Sequence, residues 1–107
     1  MTYRAPLTDI AHALKVAGLG GLVETGAFDG ADQETVTAIL EAAGQFSEGV
    51  LAPLNRSGDQ EGVRLESGKV RAASGFADAW KQYAQGGWTG VAADPQFGGQ
   101  GLPKVLS

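Results

Sequence analysis

The stretch from Asp32 to Leu54 constrains the fold more than any other part of the chain. Its apolar residues are Val36, Ile39, Leu40, Ala43, Phe46, Val50, Leu51 and Leu54, at successive spacings of 3, 1, 3, 3, 4, 1 and 3. That series follows a 3.6-residue period and not a 2-residue one, so it predicts a long amphipathic helix with one face to bury. Asp32 is placed to cap its start, and Glu34 to complement the positive end of its dipole. Pro53 is expected to end or kink it, because proline donates no N–H and its ring crowds the preceding turn. Gly44 and Gly49 inside it cost about 1 kcal/mol each relative to Ala, which makes sense if another helix backbone approaches closely there.

Such a helix needs partners, and the rest of the chain offers short ones. Leu7, Ile10, Ala13, Leu14 and Ala17 share a helical face and predict a helix over 9–17, capped by Thr8 or Asp9 and ended by Gly18. Leu19, Leu22 and Val23 continue into a short turn that Gly20 and Gly21 should break. Residues 24–31 read as a loop around Phe28. After the long helix, Asn55-Arg56-Ser57-Gly58-Asp59 is turn chemistry. Val63, Leu65 and Val70 alternate about Glu66-Ser67-Gly68 and predict a short β hairpin near 62–71. Ser74 is expected to cap a third helix over 75–85, with Phe76, Ala77, Trp80, Tyr83 and Ala84 as its apolar stripe and Gly86-Gly87 as its stop. The glycine-rich segment 88–103 reads as a long loop. Pro103 reads as the first residue of a new helix, and the chain stops at Ser107, so this end is expected to be a truncation point.

Composition narrows the function classes. A chain of 107 residues suits one domain. At 43% hydrophobic residues it has enough apolar material to fold rather than stay disordered. Its 17 glycines have no Gly-X-Y period, which excludes collagen and points to turns that need φ > 0. The formal net charge is −4 and the eight basic residues are scattered. No basic patch is present for nucleic acid or for an anionic membrane surface. No apolar run approaches the roughly 20 residues of a membrane span. Cysteine is absent, which removes disulfides, zinc thiolates, iron–sulfur clusters and thiol nucleophiles together. The start of the chain lacks the apolar core of a secretory signal, so the cytoplasm is the expected compartment.

No self-contained active site emerges from the residues. His12 has no second His or Cys partner and reads as a surface residue. Asp29, Asp32 and Glu34 begin like an oxygen-rich cation loop but lack the calcium spacing, so capping is the better reading and no metal is expected. Asp59 and Glu61 read as solvated turn residues. Gly98-Gly99-Gln100-Gly101 is followed by Leu102 and Pro103, not by the Lys-Ser/Thr of a phosphate loop, and reads as a tight turn. Trp80, Tyr83 and Trp88 read as core or interface aromatics.

Motifs go further. Trp88-x-Gly90, followed by Asp94-Pro95-x-Phe97-Gly98-Gly99-Gln100-Gly101-Leu102-Pro103, resembles a loop near the end of the N-terminal helical domain of acyl-CoA dehydrogenases. Val50-Leu51-Ala52-Pro53-Leu54-Asn55 and Gly58-Asp59-x-x-Gly62 fit the same layout. The leader Tyr3-x-Ala5-Pro6-Leu7-x-Asp9 is similar to an extra N-terminal segment of one bacterial branch, which includes enzymes acting on 3-methylmercaptopropionyl-CoA.

The resemblance implies a mainly α fold, an incomplete N-terminal helical domain, with residues 1–31 as a leader carrying a short helix and 32–107 as the truncated helical domain. It implies an FAD-dependent α,β-dehydrogenation of an acyl-CoA thioester in the full-length protein. The partners it implies there are an acyl-CoA substrate, an electron-transfer partner and further copies in a homo-oligomer. The family's catalytic glutamate belongs to its C-terminal domain and matches no residue here. FAD is accordingly not expected to bind this piece alone, which should be inactive. Phe97, Gly98, Gly99, Gly101 and Leu102 are the candidates for shaping the acyl-pocket wall, with Trp88, Asp94 and Pro95 in structural roles. A rigid turn that fixes the next helix is the plainer reading of the same loop. The alternative for the whole chain is a stand-alone helical binding or oligomerisation module.

Overall fold

Asp32 opens the longest element as its sequence demands: a side-chain oxygen accepts the Thr35 N–H at 2.7 Å. In the computed structural model, which describes residues 2–107, the helices are α1 (Leu7–Val16), α2 (Leu19–Glu24), α3 (Gln33–Phe46), α4 (Ala52–Glu61) and α5 (Phe76–Gln85). A two-stranded antiparallel hairpin, β1 (Arg64–Glu66) and β2 (Lys69–Arg71), lies between α4 and α5. The fold is mainly α with a short hairpin, as the periodicities predict.

The long helix does not stop at Pro53. A π-helical turn over Ser47–Leu51 joins α3 to α4, so helical backbone is unbroken from Gln33 to Glu61. The Ala52 N–H donates to the Ser47 carbonyl, five residues back. That wider register opens the turn that the proline ring would crowd, and Pro53 sits in the first turn of α4, where a missing N–H costs little. The turn chemistry of residues 55–59 is likewise overruled. Gly58 is buried under the Phe76 ring, whose nearest atom would lie 2.5 Å from a Cβ placed there. Leu54 packs in the same way over Gly75. Packing of α4 on α5 thus decides a segment whose local propensity favours a turn.

Other boundaries shift for identifiable reasons. α1 starts at Leu7 behind Pro6 with no side-chain cap, so neither Thr8 nor Asp9 caps it. Gly18 does terminate it, at φ 91°, and α2 runs through Gly20 and Gly21 without a break. Ser74 is not the cap of α5. Gly75 holds that position at φ 88°, and Ser74 is bound elsewhere. Pro103 precedes a short 3-10 turn, Lys104–Leu106, rather than standing inside it. The hairpin turn is Ser67-Gly68 with both residues at positive φ, 50° and 77°, the mirror-image turn that suits strand twist.

Gly44 is the buried crossing point of α1 and α3: a Cβ there would lie 3.2 Å from Leu7 Cδ2 and 3.3 Å from Ala5 Cβ. Side chains, not a helix backbone, make that approach. Gly49 has nothing within 4 Å, so the close-packing reason expected for it does not hold. The core is thin. Leu19, Ala31, Val36, Ala73, Ala79 and Val91 are buried. The molecule measures 53 × 37 × 18 Å with a radius of gyration of 16.8 Å, against about 13 Å for a compact chain of this length. It is a plate, and many large apolar side chains lie on its surface.

Candidate functional site

The loop after α5 is built by backbone pairing. α5 is C-capped by Gly86, and Gly87 at φ 80° turns the chain into a 3-10 turn over Trp88–Gly90. A second 3-10 turn, Pro95–Phe97, is capped by Asp94, whose Oδ1 accepts the Gln96 N–H at 2.8 Å. The chain then doubles back. Gln100 N–H donates to the Gly90 carbonyl at 2.8 Å, Gly101 N–H to Ala93 at 2.9 Å and Leu102 N–H to Val91 at 3.0 Å. The Asp94 carbonyl takes the N–H groups of both Phe97 and Gly99.

Two glycines make this return possible. A Cβ at Gly99 would run into the backbone carbonyl of Ala93, so no other residue fits without moving main chain. Gly101 has φ 65°, and a Cβ there would lie 2.9 Å from Pro95 Cγ. Pro103 ends the return with its side chain fully buried. Residues 88–103 are therefore a locked double turn rather than an open loop.

The structure divides the residues that the motifs single out. Gly99, Gly101 and Leu102 are half-buried against 90–95. Leu102 and Trp88 also line a groove of about 680 Å³ between the loop and α3, floored by Ile39, Ala42 and Val91. Gly98 is exposed at φ 86°, and Phe97 is 82% exposed at the tip. Phe97 therefore stands apart from the groove. Asp94 caps the second 3-10 turn and Pro95 is its first residue.

The groove carries Asp29 and Glu34 on its rim and no cationic side chain. Asp32 faces its own helix end, and its carboxyl is held below the ordinary aspartate value by the Thr35 backbone and side chain. Among the described residues no three His, Cys, Asp or Glu side chains converge as a metal site. His12 is exposed and lies on a second groove, between α1, α2 and α3, with Lys15 and Glu41.

Two acidic residues organise more than their sequence context suggests. Glu48 projects from the π-helical turn and accepts the Ala5 N–H at 2.8 Å, while Arg4 approaches it at 3.3 Å. The leader before α1 is thereby tied to the middle of the long helix. Glu61, at the end of α4, accepts both the backbone N–H and the hydroxyl of Ser74. Both contacts span more than ten residues of chain. The one local sign is the unusual register around Ser47–Leu51, which sequence periodicity does not show.

Whole-chain comparison agrees with the motif resemblance. The chain is 36% identical over 107 residues to the 3-methylmercaptopropionyl-CoA dehydrogenase of Ruegeria pomeroyi. It is similar to an acyl-CoA dehydrogenase along its length. The match covers 99% of this chain and 18% of that dehydrogenase. The chain thus spans about a fifth of the length of the curated relative it matches. No family model matches it. Among the described residues no helix is long and apolar enough to cross a membrane.

Proposed function

We propose that this chain forms part of an FAD-dependent acyl-CoA dehydrogenase that oxidises an acyl-CoA thioester in the cytoplasm. Its part is architectural: it supplies helical packing and a section of the acyl-pocket wall. The observation that carries this reading is identity of 36% sustained over 99% of the chain, motif loop included. The locked return at 99–103 supports it, because a wall that shapes an acyl cavity must resist deformation. Leu102 and Trp88, on the groove, are better placed for such a wall than Phe97 at the exposed tip.

The groove does not suit the flavin itself. FAD carries a diphosphate, and the lining offers it Asp29 and Glu34 without a cation. The flavin contacts and the catalytic base are assigned to other parts of the full-length enzyme, which would also meet the electron-transfer partner, and the isolated chain is expected to be inactive. The leader, 1–31, is read as a separate segment seated on the helical part, 32–107, through Glu48 and Gly44.

The test is to purify the longer polypeptide that carries this sequence. The expected result is a yellow protein whose flavin absorbance bleaches when an acyl-CoA is added anaerobically. Leu102→Ala is expected to raise KM for a longer acyl chain more than it lowers kcat. A colourless polypeptide with no acyl-CoA-dependent bleaching would overturn the reading. A stand-alone helical binding module would then replace it; that reading calls for a complete polar surface, whereas the exposed Trp80 and Phe76 are what a piece covered by the rest of an enzyme would show.

A further inference from the structure

We infer that residues 2–24 form a strap that docks on α3 and lifts from it as one unit, latched by the Glu48 carboxylate and pivoting at residues 25–30. The inference does not depend on the dehydrogenase reading, nor on what meets the exposed faces of the chain.

Polar ties between the strap and the helical part converge on one side chain. Among the described residues, every hydrogen bond and ion pair from residues 2–30 to residues 32–107 ends on Glu48: its Oε1 accepts the Ala5 N–H at 2.8 Å, and its Oε2 lies 3.3 Å from Arg4 Nη1. The Ala5 contact is the stronger of the two. It is part-buried and charge-assisted, and breaking it leaves an N–H without a partner. The Arg4 side chain is 81% exposed, where an ion pair contributes little. The apolar seat beside the latch is narrow. Leu7 and Ala5 close on Gly44, four residues before Glu48, and Leu19 is the one buried residue that α1 and α2 supply.

The two ends of the strap differ in stiffness. Glu48 stands in the π-helical turn, within helical backbone that is continuous from α3 into α4. At the other end, Gly26 and Gly30 have φ 72° and 76°, and a Cβ at either would meet nothing within 4 Å. Hydrogen bonds there stay local: the Thr25 and Gly26 N–H groups donate to Leu22 and Val23, the Ala27 N–H to the Thr25 hydroxyl, and the Ala31 N–H to Phe28. A rotation at 25–30 therefore breaks no hydrogen bond to α3, α4 or α5, as a hinge requires. Within the strap, Gly18 joins α1 to α2 closely: its N–H donates to Lys15 and its carbonyl accepts the Leu22 N–H. Lifting opens the groove between α1, α2 and α3 along Val36 and Leu40. Once lifted, helices of 10 and 6 residues are too short to hold their hydrogen bonds in water, so exchange of their amides reports the open state.

Hydrogen exchange read by mass spectrometry on the full polypeptide that carries this sequence tests the strap. Glu48→Ala is expected to speed exchange at least about tenfold at Ala5 and, in step, along both α1 and α2, while α4 and α5 keep their protection. Glu48→Gln keeps an acceptor for Ala5 and is expected to retain most of the protection. Arg4→Ala is expected to change exchange by less than about threefold. A protease site inserted between Gly26 and Gly30 supplies a second measurement: after cleavage the strap is expected to stay bound to the parent protein through gel filtration and to be lost from the Glu48→Ala protein. Exchange over 2–24 that ignores Glu48→Ala would overturn the inference. So would α1 opening while α2 stays protected, a loss of protection that spreads to α4 and α5, or equal retention of the cleaved strap by both proteins.

Discussion

Glu61 holds Ser74 from two sides, accepting its backbone N–H at 2.7 Å and its hydroxyl at 2.8 Å. The hairpin lies between these residues, so this contact closes its base and joins the end of α4 to the start of α5. Arg64 extends the network, 3.7 Å from Glu61 and 3.6 Å from Glu66. Glu66 also reaches Arg71 at 3.8 Å, which relieves the direct pairing of Arg64 with Arg71 across the strands. Glu61→Ala is expected to lower the melting temperature and to speed hydrogen exchange at Ser74 and along both strands, with α1 to α3 unaffected. Uniform exchange across the chain would contradict this.

Acid should weaken the same contact. The Ser74 backbone N–H and hydroxyl, with Arg64 a smaller influence, hold the Glu61 carboxyl below its ordinary value. Asp32 is also lowered, by Thr35. A depressed carboxyl contributes stability that is fully present above its unfolded pKa and disappears as pH falls through its folded pKa. The melting temperature is therefore expected to fall as pH drops through and below the usual carboxylate range. Glu61→Gln should flatten part of that fall, as melts of both proteins across the acid range would show.

Glycines in this chain divide into two kinds. Gly99→Ala places a methyl group against the Ala93 carbonyl and is expected to cost about 2–3 kcal/mol through backbone displacement. Gly49→Ala meets nothing within 4 Å and is expected to stabilise the helix by about 0.5–1 kcal/mol. Urea denaturation of the two variants should therefore move in opposite directions. The Gly99 variant should also distort the groove beside Leu102, which, on the function proposed above, would register as altered acyl-chain preference.

Ser67 is the one residue other than glycine at positive φ among the described residues, at 50°. Asparagine tolerates that region better than serine. Ser67→Asn is expected to stabilise the hairpin by about 0.5 kcal/mol, seen as slower amide exchange in β1 and β2. The equivalent change at Ser57, inside α4, should give no such gain.

Glu48→Ala removes the acceptor of the Ala5 N–H and the partner of Arg4. The leader is then held chiefly by Leu7 against Gly44. Limited proteolysis near Arg4 is expected to become several-fold faster, with α4 and α5 no more sensitive than before.

The candidate loop is more legible in the sequence than the residues that organise its surroundings. Asp94-Pro95, the glycines and Pro103 each carry a local backbone requirement, so their order along the chain is enough to announce a turn. Glu48 and Glu61 read as ordinary surface acids because their partners, Ala5 and Ser74, lie 43 and 13 residues away. Phe97 belongs to the same motif as Leu102, yet the double turn sends it outward. Motif membership could not separate the two.

Periodicity, capping and turn chemistry alone determined the helical class, the Asp32 start, the Gly18 and Gly87 stops and the Ser67-Gly68 hairpin. Each follows from interactions within a few residues. Tertiary contact decided the rest. Burial of Gly58 under Phe76 and the contact of Leu54 with Gly75 draw a turn-prone segment into α4, and the π-helical turn lets Pro53 stay inside the rod. Those outcomes depend on surfaces brought together from distant parts of the chain, and local propensities of about 1 kcal/mol per residue yield to them.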